Sequence, residues 1–180
     1  MVTHAGKALI DPERIIQKMN LKEGMRVADM GCGRTGHFIF TISKLVGESG
    51  IVYAVDIMQE ILSHLRGRTE AEGYHNIQTV WSDIEKEGAT PIPPKSLDAC
   101  LYINVMSMLK DRSQALKEAV RLIKDSGIIV VVDWEKKLGP LGPEKMLLPA
   151  TMTDLATEAG LKFAESFSAG DYHYCLFFRK

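Results

Sequence analysis

Arg26-Val27-Ala28-Asp29-Met30-Gly31-Cys32-Gly33-Arg34-Thr35-Gly36-His37-Phe38 decides the fold of this chain. A short apolar strand runs into an acid, three glycines follow, and a helical pattern begins. Twenty residues after Gly36, a second apolar strand, Ile51-Val52-Tyr53-Ala54-Val55, ends on Asp56. This layout predicts a nucleotide-cofactor pocket at the carboxyl edge of a parallel sheet. Glycines let the backbone turn sharply and approach a ligand, and the second acid can accept hydrogen bonds from ribose hydroxyls.

A glycine pattern of this kind also fits a nicotinamide dinucleotide. Two details favour a different cofactor. The residue two before the first glycine is Asp29, where a dinucleotide site usually has an apolar residue beside its anionic pyrophosphate. A carboxylate there suits a cofactor with a cationic centre and an amino group. A third apolar stretch, Ile77 to Val80, is also followed by an acid, in Trp81-Ser82-Asp83.

Outward from this core, strands and helices alternate. Asp11-Pro12 predicts a helix start, with Asp as cap and Pro in the first turn. Ile15, Ile16 and Met19 supply its apolar face. Helices are expected over Phe38 to Val46, Met58 to Glu72 and Ser113 to Lys124. Strand four is expected over Leu97 to Ile103, after a proline-bearing connection from Glu85 to Ser96. Asp125-Ser126-Gly127 is expected to turn the chain into strand five, Ile128 to Val132, an unbroken apolar run suited to burial on both faces. A loop rich in Gly and Pro follows, then a helix capped by Thr153. Leu161 to Phe167 and His173 to Phe178 read as a closing hairpin. The alternation predicts an α/β fold with helices on both faces of a mostly parallel sheet.

Acids after three successive strands and a closing hairpin resemble the class I S-adenosylmethionine-dependent methyltransferases, from Asp11 to the C-terminus. The resemblance implies a three-layer αβα sandwich with a seven-stranded sheet of order 3-2-1-4-5-7-6, strand seven antiparallel. It implies S-adenosyl-L-methionine as methyl donor. Carried over, Asp29 lies near the methionine end of the cofactor, and Gly31 and Gly33 let backbone pass beside it. Asp56 binds the ribose hydroxyls. Ile57 and Met58 cover an adenine face. Asp83 accepts from the adenine amino group, and the Ile84 N–H donates to the ring. Many family members read acid-x-Gly-x-Gly-x-Gly, whereas this chain has one extra residue before Gly36, so the role of Gly36 is less defined than those of Gly31 and Gly33.

Methyl transfer is an in-line displacement that needs alignment, exclusion of water and sometimes a base. Acceptor residues are expected at the carboxyl ends of strands four and five, in the N-terminal segment and in the last hairpin. Those places hold Asn104, Asp133, Trp134, His4, Asp171, Tyr172 and His173. Asp133 is the expected base, with His173 and Asn104 as further catalytic candidates and Asn104 also placed at the cofactor. The Asn-Pro-Pro-aromatic motif of many amino-methylating enzymes is absent, since the chain reads Asn104-Val105-Met106-Ser107.

The chain of 180 residues fits a single domain over residues 1–180, with residues 1–25 as a helical segment covering the cofactor edge. A formal net charge of −1, with no long basic run, weighs against a nucleic-acid partner. No apolar run approaches the roughly 20 residues of a membrane span. Met1 to Lys7 lacks a signal-peptide core. The scattered cysteines Cys32, Cys100 and Cys175 fit a reducing cytoplasm and form no zinc spacing. The expected function is cytoplasmic methyl transfer to a small-molecule acceptor. The competing readings are methylation of a protein or RNA, and nicotinamide-dependent oxidoreduction.

Overall fold

The computed structural model describes residues 9–180. Helix α1 (Pro12–Met19) begins as its sequence demands. The Asp11 carboxylate accepts the Arg14 N–H at 3.1 Å, and Pro12 has no N–H to leave unpaired. Ile15, Ile16 and Met19 are buried, and Asn20 ends the helix in the left-handed region. The proposed cover over residues 1–25 is described only from Leu9 onward, and His4 lies outside the described residues.

The remaining elements are β1 (Arg26–Met30), α2 (His37–Val46), β2 (Ile51–Asp56), α3 (Gln59–Ala71), β3 (Ile77–Trp81) and β4 (Leu97–Ile103), then α4 (Arg112–Leu122), β5 (Ile123–Trp134), α5 (Pro149–Glu158), β6 (Lys162–Ser168) and β7 (His173–Arg179). The strands form one sheet in the order β3-β2-β1-β4-β5-β7-β6. Pairs from β3 through β5 are parallel, and β7 runs antiparallel to both β5 and β6. This is the sheet order and strand-seven direction expected above. Crossover helices must lie on the faces of such a sheet, so its central strands are buried on both sides. Ile15, Ile39, Ile42 and Leu65 pack α1, α2 and α3 on one face. Leu116, Ala119, Met152 and Ala156 pack α4 and α5 on the other. Among the described residues no helix is long and apolar enough to cross a membrane.

Two boundaries differ from expectation by more than a terminal residue or two. Strand β5 begins at Ile123, directly after α4, and pairs Leu97 with Ile123 before shifting register so that Ala99 pairs with Ile128. The Asp125-Ser126-Gly127 turn is folded within that shift. A Cβ on Gly127 would lie 2.9 Å from Ile123 Cβ and 3.0 Å from the Lys124 carbonyl oxygen, so glycine is what permits the fold-back. Helix α5 starts at Pro149, ahead of the expected Thr153 cap. Proline's fixed φ suits the first helical position, and the Thr153 hydroxyl instead donates back to the Pro149 carbonyl at 2.8 Å.

A buried ion pair holds the long connection before β4. Glu118 on α4 is fully buried, accepts the Gly88 and Thr90 N–H groups at 2.7 and 2.9 Å, and pairs with Arg121 at 2.7 Å. Burial alone would raise its carboxyl. The Arg121 guanidinium and the two amides outweigh burial and hold it at about 2.

Candidate active site

Parallel pairing brings the carboxyl ends of β1, β2 and β4 to one sheet edge. There the glycine loop leaves β1. The N–H groups of Gly31 and Cys32 both donate to the Val55 carbonyl, at 2.8 and 3.0 Å, so the loop is tied to β2. Gly31 and Gly33 have φ of 75° and 63°, a region that side-chain-bearing residues avoid. Their surroundings differ. A Cβ on Gly31 would lie 2.6 Å from Val105 Cγ2, whereas a Cβ on Gly33 would meet none of the described residues within 4 Å. Gly31 therefore admits Val105, and Gly33 faces open space. Gly36 precedes α2 in the left-handed region, and its Cβ would strike Phe40 and Leu65 at 2.8 and 2.9 Å. It packs the loop against helices and is not part of the cavity wall.

That open space is a cavity of about 680 Å³. Asp29, Gly31, Gly33 and Asp56 form one wall; Ile57, Met58, Asp83 and Ile84 form another. Asn104, Trp134 and His173 close the far end. Leu9, Ile10 and Pro12 bring the segment before α1 to its rim. Most of the residues singled out from sequence thus meet in one place.

Asp29 is 3% exposed, and its Oδ1 has no hydrogen-bond partner among the described residues. Burial, and then the charge of Asp56, push its carboxyl up to about 7. In its ionised form this carboxylate is acceptor-only and lacks a cationic donor. Asp56 is also buried, but both oxygens are engaged. Oδ2 accepts the Gly33 N–H at 3.1 Å and Oδ1 accepts the Met58 N–H at 2.9 Å. Each carboxylate oxygen has a second lone pair, so Asp56 orders the loop and still has capacity for ligand hydroxyls.

Ile57 and Met58 are more than half exposed and stand over the cavity, outside the core. The Trp81 indole N–H donates to the Ile57 carbonyl at 2.8 Å and fixes this ledge. Ile84 is buried opposite. Asp83 accepts the Glu85 N–H at 3.1 Å and pairs with Lys86 at 3.0 Å, and Lys86 holds its carboxyl below the usual range. Burial and the charges of Asp29 and Asp56 push the Cys32 thiol up, away from the thiolate form a nucleophile needs.

At the acceptor end, Asn104 has a φ of 56° and its N–H donates to the Val132 carbonyl at 2.8 Å. Its Oδ1 is buried without a partner among the described residues. A second cavity of about 610 Å³ shares Asn104, Met108 and Trp134 with the first and is walled on its other side by Gly142 to Lys145. Asp133 lies outside both walls. It is fully buried, its Oδ2 accepts the Ser107 N–H at 2.8 Å, and its Oδ1 accepts the Trp134 N–H at 2.8 Å. Burial raises its carboxyl, each oxygen accepts a backbone N–H, and the side chain reaches neither cavity. The expected base is thus placed as a brace for the turn after β4. Asp171 and Tyr172 stand on the β6–β7 turn, away from the cavity wall, and the Tyr172 carbonyl accepts the Glu135 N–H at 2.8 Å.

Sequence reasoning missed three parts of this region. Val105 fills the space under Gly31, Met108 projects from the turn after β4 with 74% exposure, and Arg112 holds that turn through the Met106 and Ser107 carbonyls at 2.7 and 3.0 Å. None belongs to a spaced motif. The one available signal was the apolar pair Met108-Leu109 between Ser107 and Lys110. Among the described residues, no group of three or more His, Cys, Asp or Glu is placed to hold a metal ion.

Comparison with known proteins agrees with this architecture. A family model described as a methyltransferase domain matches residues 21–173. The crystal structure of a SAM-dependent methyltransferase from Aquifex aeolicus superposes with a TM-score of 0.87 at 25% identity, over 97% of this chain and 92% of that one. A ubiquinone/menaquinone biosynthesis C-methyltransferase from Hahella chejuensis is 32% identical over 127 residues, 70% of this chain and 49% of that protein. A demethylmenaquinone methyltransferase from Staphylococcus saprophyticus is 29% identical over 132 residues, 72% of this chain and 53% of that protein. The chain spans about half the length of these two relatives. It belongs to the methyltransferase-domain family, with the class I fold.

Proposed function

We propose that this member of the methyltransferase-domain family is an S-adenosyl-L-methionine-dependent methyltransferase of a small-molecule acceptor. The observation that carries the reading is the pair Asp29 and Asp56 around the glycine loop. Asp29 has a buried oxygen without a donor, and Gly33 leaves the space beside the loop open. The cofactor's ammonium group fits the first and its ribose hydroxyls fit Asp56. Ile57, Met58 and Ile84 suit the faces of an adenine, and Asp83 with the Ile84 N–H suits its edge. Two carboxylates at the loop would repel a pyrophosphate, so the nicotinamide reading is not favoured.

When bound, the cofactor supplies a methyl group activated by positive sulfur. The chain's residues supply binding and alignment. Asp29 and Asp56 fix the methionine end and the ribose of the donor. The apolar rim from Leu9 to Pro12 limits water. Asn104, Trp134 and His173 face the acceptor, and Asp133 and Arg112 hold the turn that presents Asn104 and Met108. The names of the two relatives make a quinol ring the first acceptor to try. A single domain over residues 1–180 in the cytoplasm is part of this reading, supported by the three free cysteines. The test is transfer of a labelled methyl group from S-adenosylmethionine to 1,4-dihydroxynaphthalene and to a demethylmenaquinol. Label in either product supports the acceptor class. Cofactor binding without label in any small molecule of a wider panel, with label in protein or RNA, would replace it.

A further inference from the structure

His173 is the first residue of β7 and sits opposite Trp134 of β5. Their ring centroids are 4.3 Å apart at 43°. The imidazole is fully buried, yet it walls the large cavity. Its Nδ1 lies 3.0 Å from the Leu9 carbonyl oxygen. A carbonyl has no proton to give, so Nδ1 carries the hydrogen. In the neutral ring Nε2 is then a bare lone pair. That Nε2 is buried and has no hydrogen-bond partner among the described residues.

The Leu9 carbonyl is held in place. The Asp11 N–H donates to the Ala169 carbonyl at 3.2 Å, and a Cβ on Gly170 would lie 2.5 Å from the Leu9 oxygen. Gly170, with φ of 117°, is what lets the N-terminal segment seat there. Burial lowers the imidazole below its ordinary range and so favours the neutral ring, while Leu9 and the charge of Asp133 act in the other direction. Asp133 is braced on backbone amides and stays outside the cavity, so it acts on the ring through its charge alone.

We propose that His173 Nε2 is the base of the reaction, and that the acceptor therefore carries a protic O–H, N–H or S–H group. The inference rests on the methyltransferase reading above. The acceptor's proton passes to Nε2. The electron pair left behind, on that atom or on a conjugated ring carbon, forms the bond to the methyl carbon as the carbon–sulfur bond breaks and its pair stays on sulfur. The imidazolium, favoured by Asp133, then returns its proton to water.

The test is ¹⁵N NMR of the histidine-labelled full chain from pH 5 to 9, free and with S-adenosylhomocysteine. His173 is expected as the neutral Nδ1–H tautomer at pH 7, titrating below 6.5. Gly170→Ala, which drives a Cβ into the Leu9 carbonyl, should disturb that tautomer. An Nε2-bound hydrogen, or a cationic ring at pH 7, overturns the proposal. With 1,4-dihydroxynaphthalene as acceptor, His173→Gln should lower turnover by roughly 100-fold and remove the low-pH limb, with cofactor affinity within about twofold of the parent. An unchanged pH–rate profile also overturns it. Absence of S-adenosylhomocysteine binding would defeat the methyltransferase reading instead, and the tautomer of the free protein would still be read.

Discussion

The Asp56 carboxylate, at the end of β2, accepts the Gly33 N–H at 3.1 Å and so ties the second strand's acid to the first strand's glycine loop. One side chain thereby shapes the cradle and faces what enters it. Asp56→Ala should weaken S-adenosylhomocysteine binding by about 1.5–3 kcal/mol, the range for hydrogen bonds to a charged group. Calorimetry measures this. An unchanged dissociation constant would reduce Asp56 to a brace for the loop and for Met58.

The glycines should separate by their neighbours. Gly31→Val drives atoms into Val105 and should unfold the chain or lower its melting temperature sharply. Gly36→Ala meets Phe40 and Leu65 and should also destabilise. Gly33→Ala meets nothing, so its cost is the left-handed backbone, about 1–2 kcal/mol. It should fold and lose cofactor affinity. Thermal melts with paired binding isotherms distinguish the three. Full affinity in Gly33→Ala would mean that no ligand approaches there.

Asp29 makes cofactor binding depend on pH. Its carboxyl is raised to about 7 in the free protein by burial and Asp56, so it is half protonated near neutrality. An ammonium group binds the ionised form and releases the proton. Affinity should therefore be level above about 7 and fall roughly tenfold per pH unit below it. Titrations in buffers of different ionisation enthalpy should show proton release at pH 6. Asp29→Asn should bind weakly at every pH and lose that release.

Glu118 makes stability fall in acid as well. Its folded value of about 2 lies below the unfolded 4.5. The stabilisation is present above pH 4.5 and is lost as pH falls toward 2, on the order of 3 kcal/mol in all. Glu118→Gln strands Arg121 and should cost about 3–5 kcal/mol at pH 7. Denaturant melts at pH 7 and pH 3 should show the variant's deficit shrinking in acid. An equal deficit at both would assign the effect to packing.

Legibility followed the range of the interactions. Asp11-Pro12, the glycine loop and the acids ending β2 and β3 are local patterns, and each reads directly from adjacent residues. The β6–β7 hairpin was legible through the turn at Ser168 to Asp171. The hydrogen bonds that place Asp133 and His173 were not. Asp133 meets Ser107, twenty-six residues away, and His173 meets Leu9, 164 residues away. Such contacts depend on how β5 and β7 pair, and no spacing rule encodes them. The start of β5 at Ile123 was hidden for a related reason: the Asp-Ser-Gly turn reads as a boundary, although the chain pairs with Leu97 before reaching it.

The central claim is that the cavity between Asp29, Asp56 and Asn104 holds S-adenosylmethionine. Isothermal titration of the full chain with S-adenosylhomocysteine, and separately with NAD and NADP, tests it most directly. One equivalent of S-adenosylhomocysteine should bind and neither nicotinamide cofactor should give heat. Binding of NAD or NADP in its place, or of none of the three, would contradict the account.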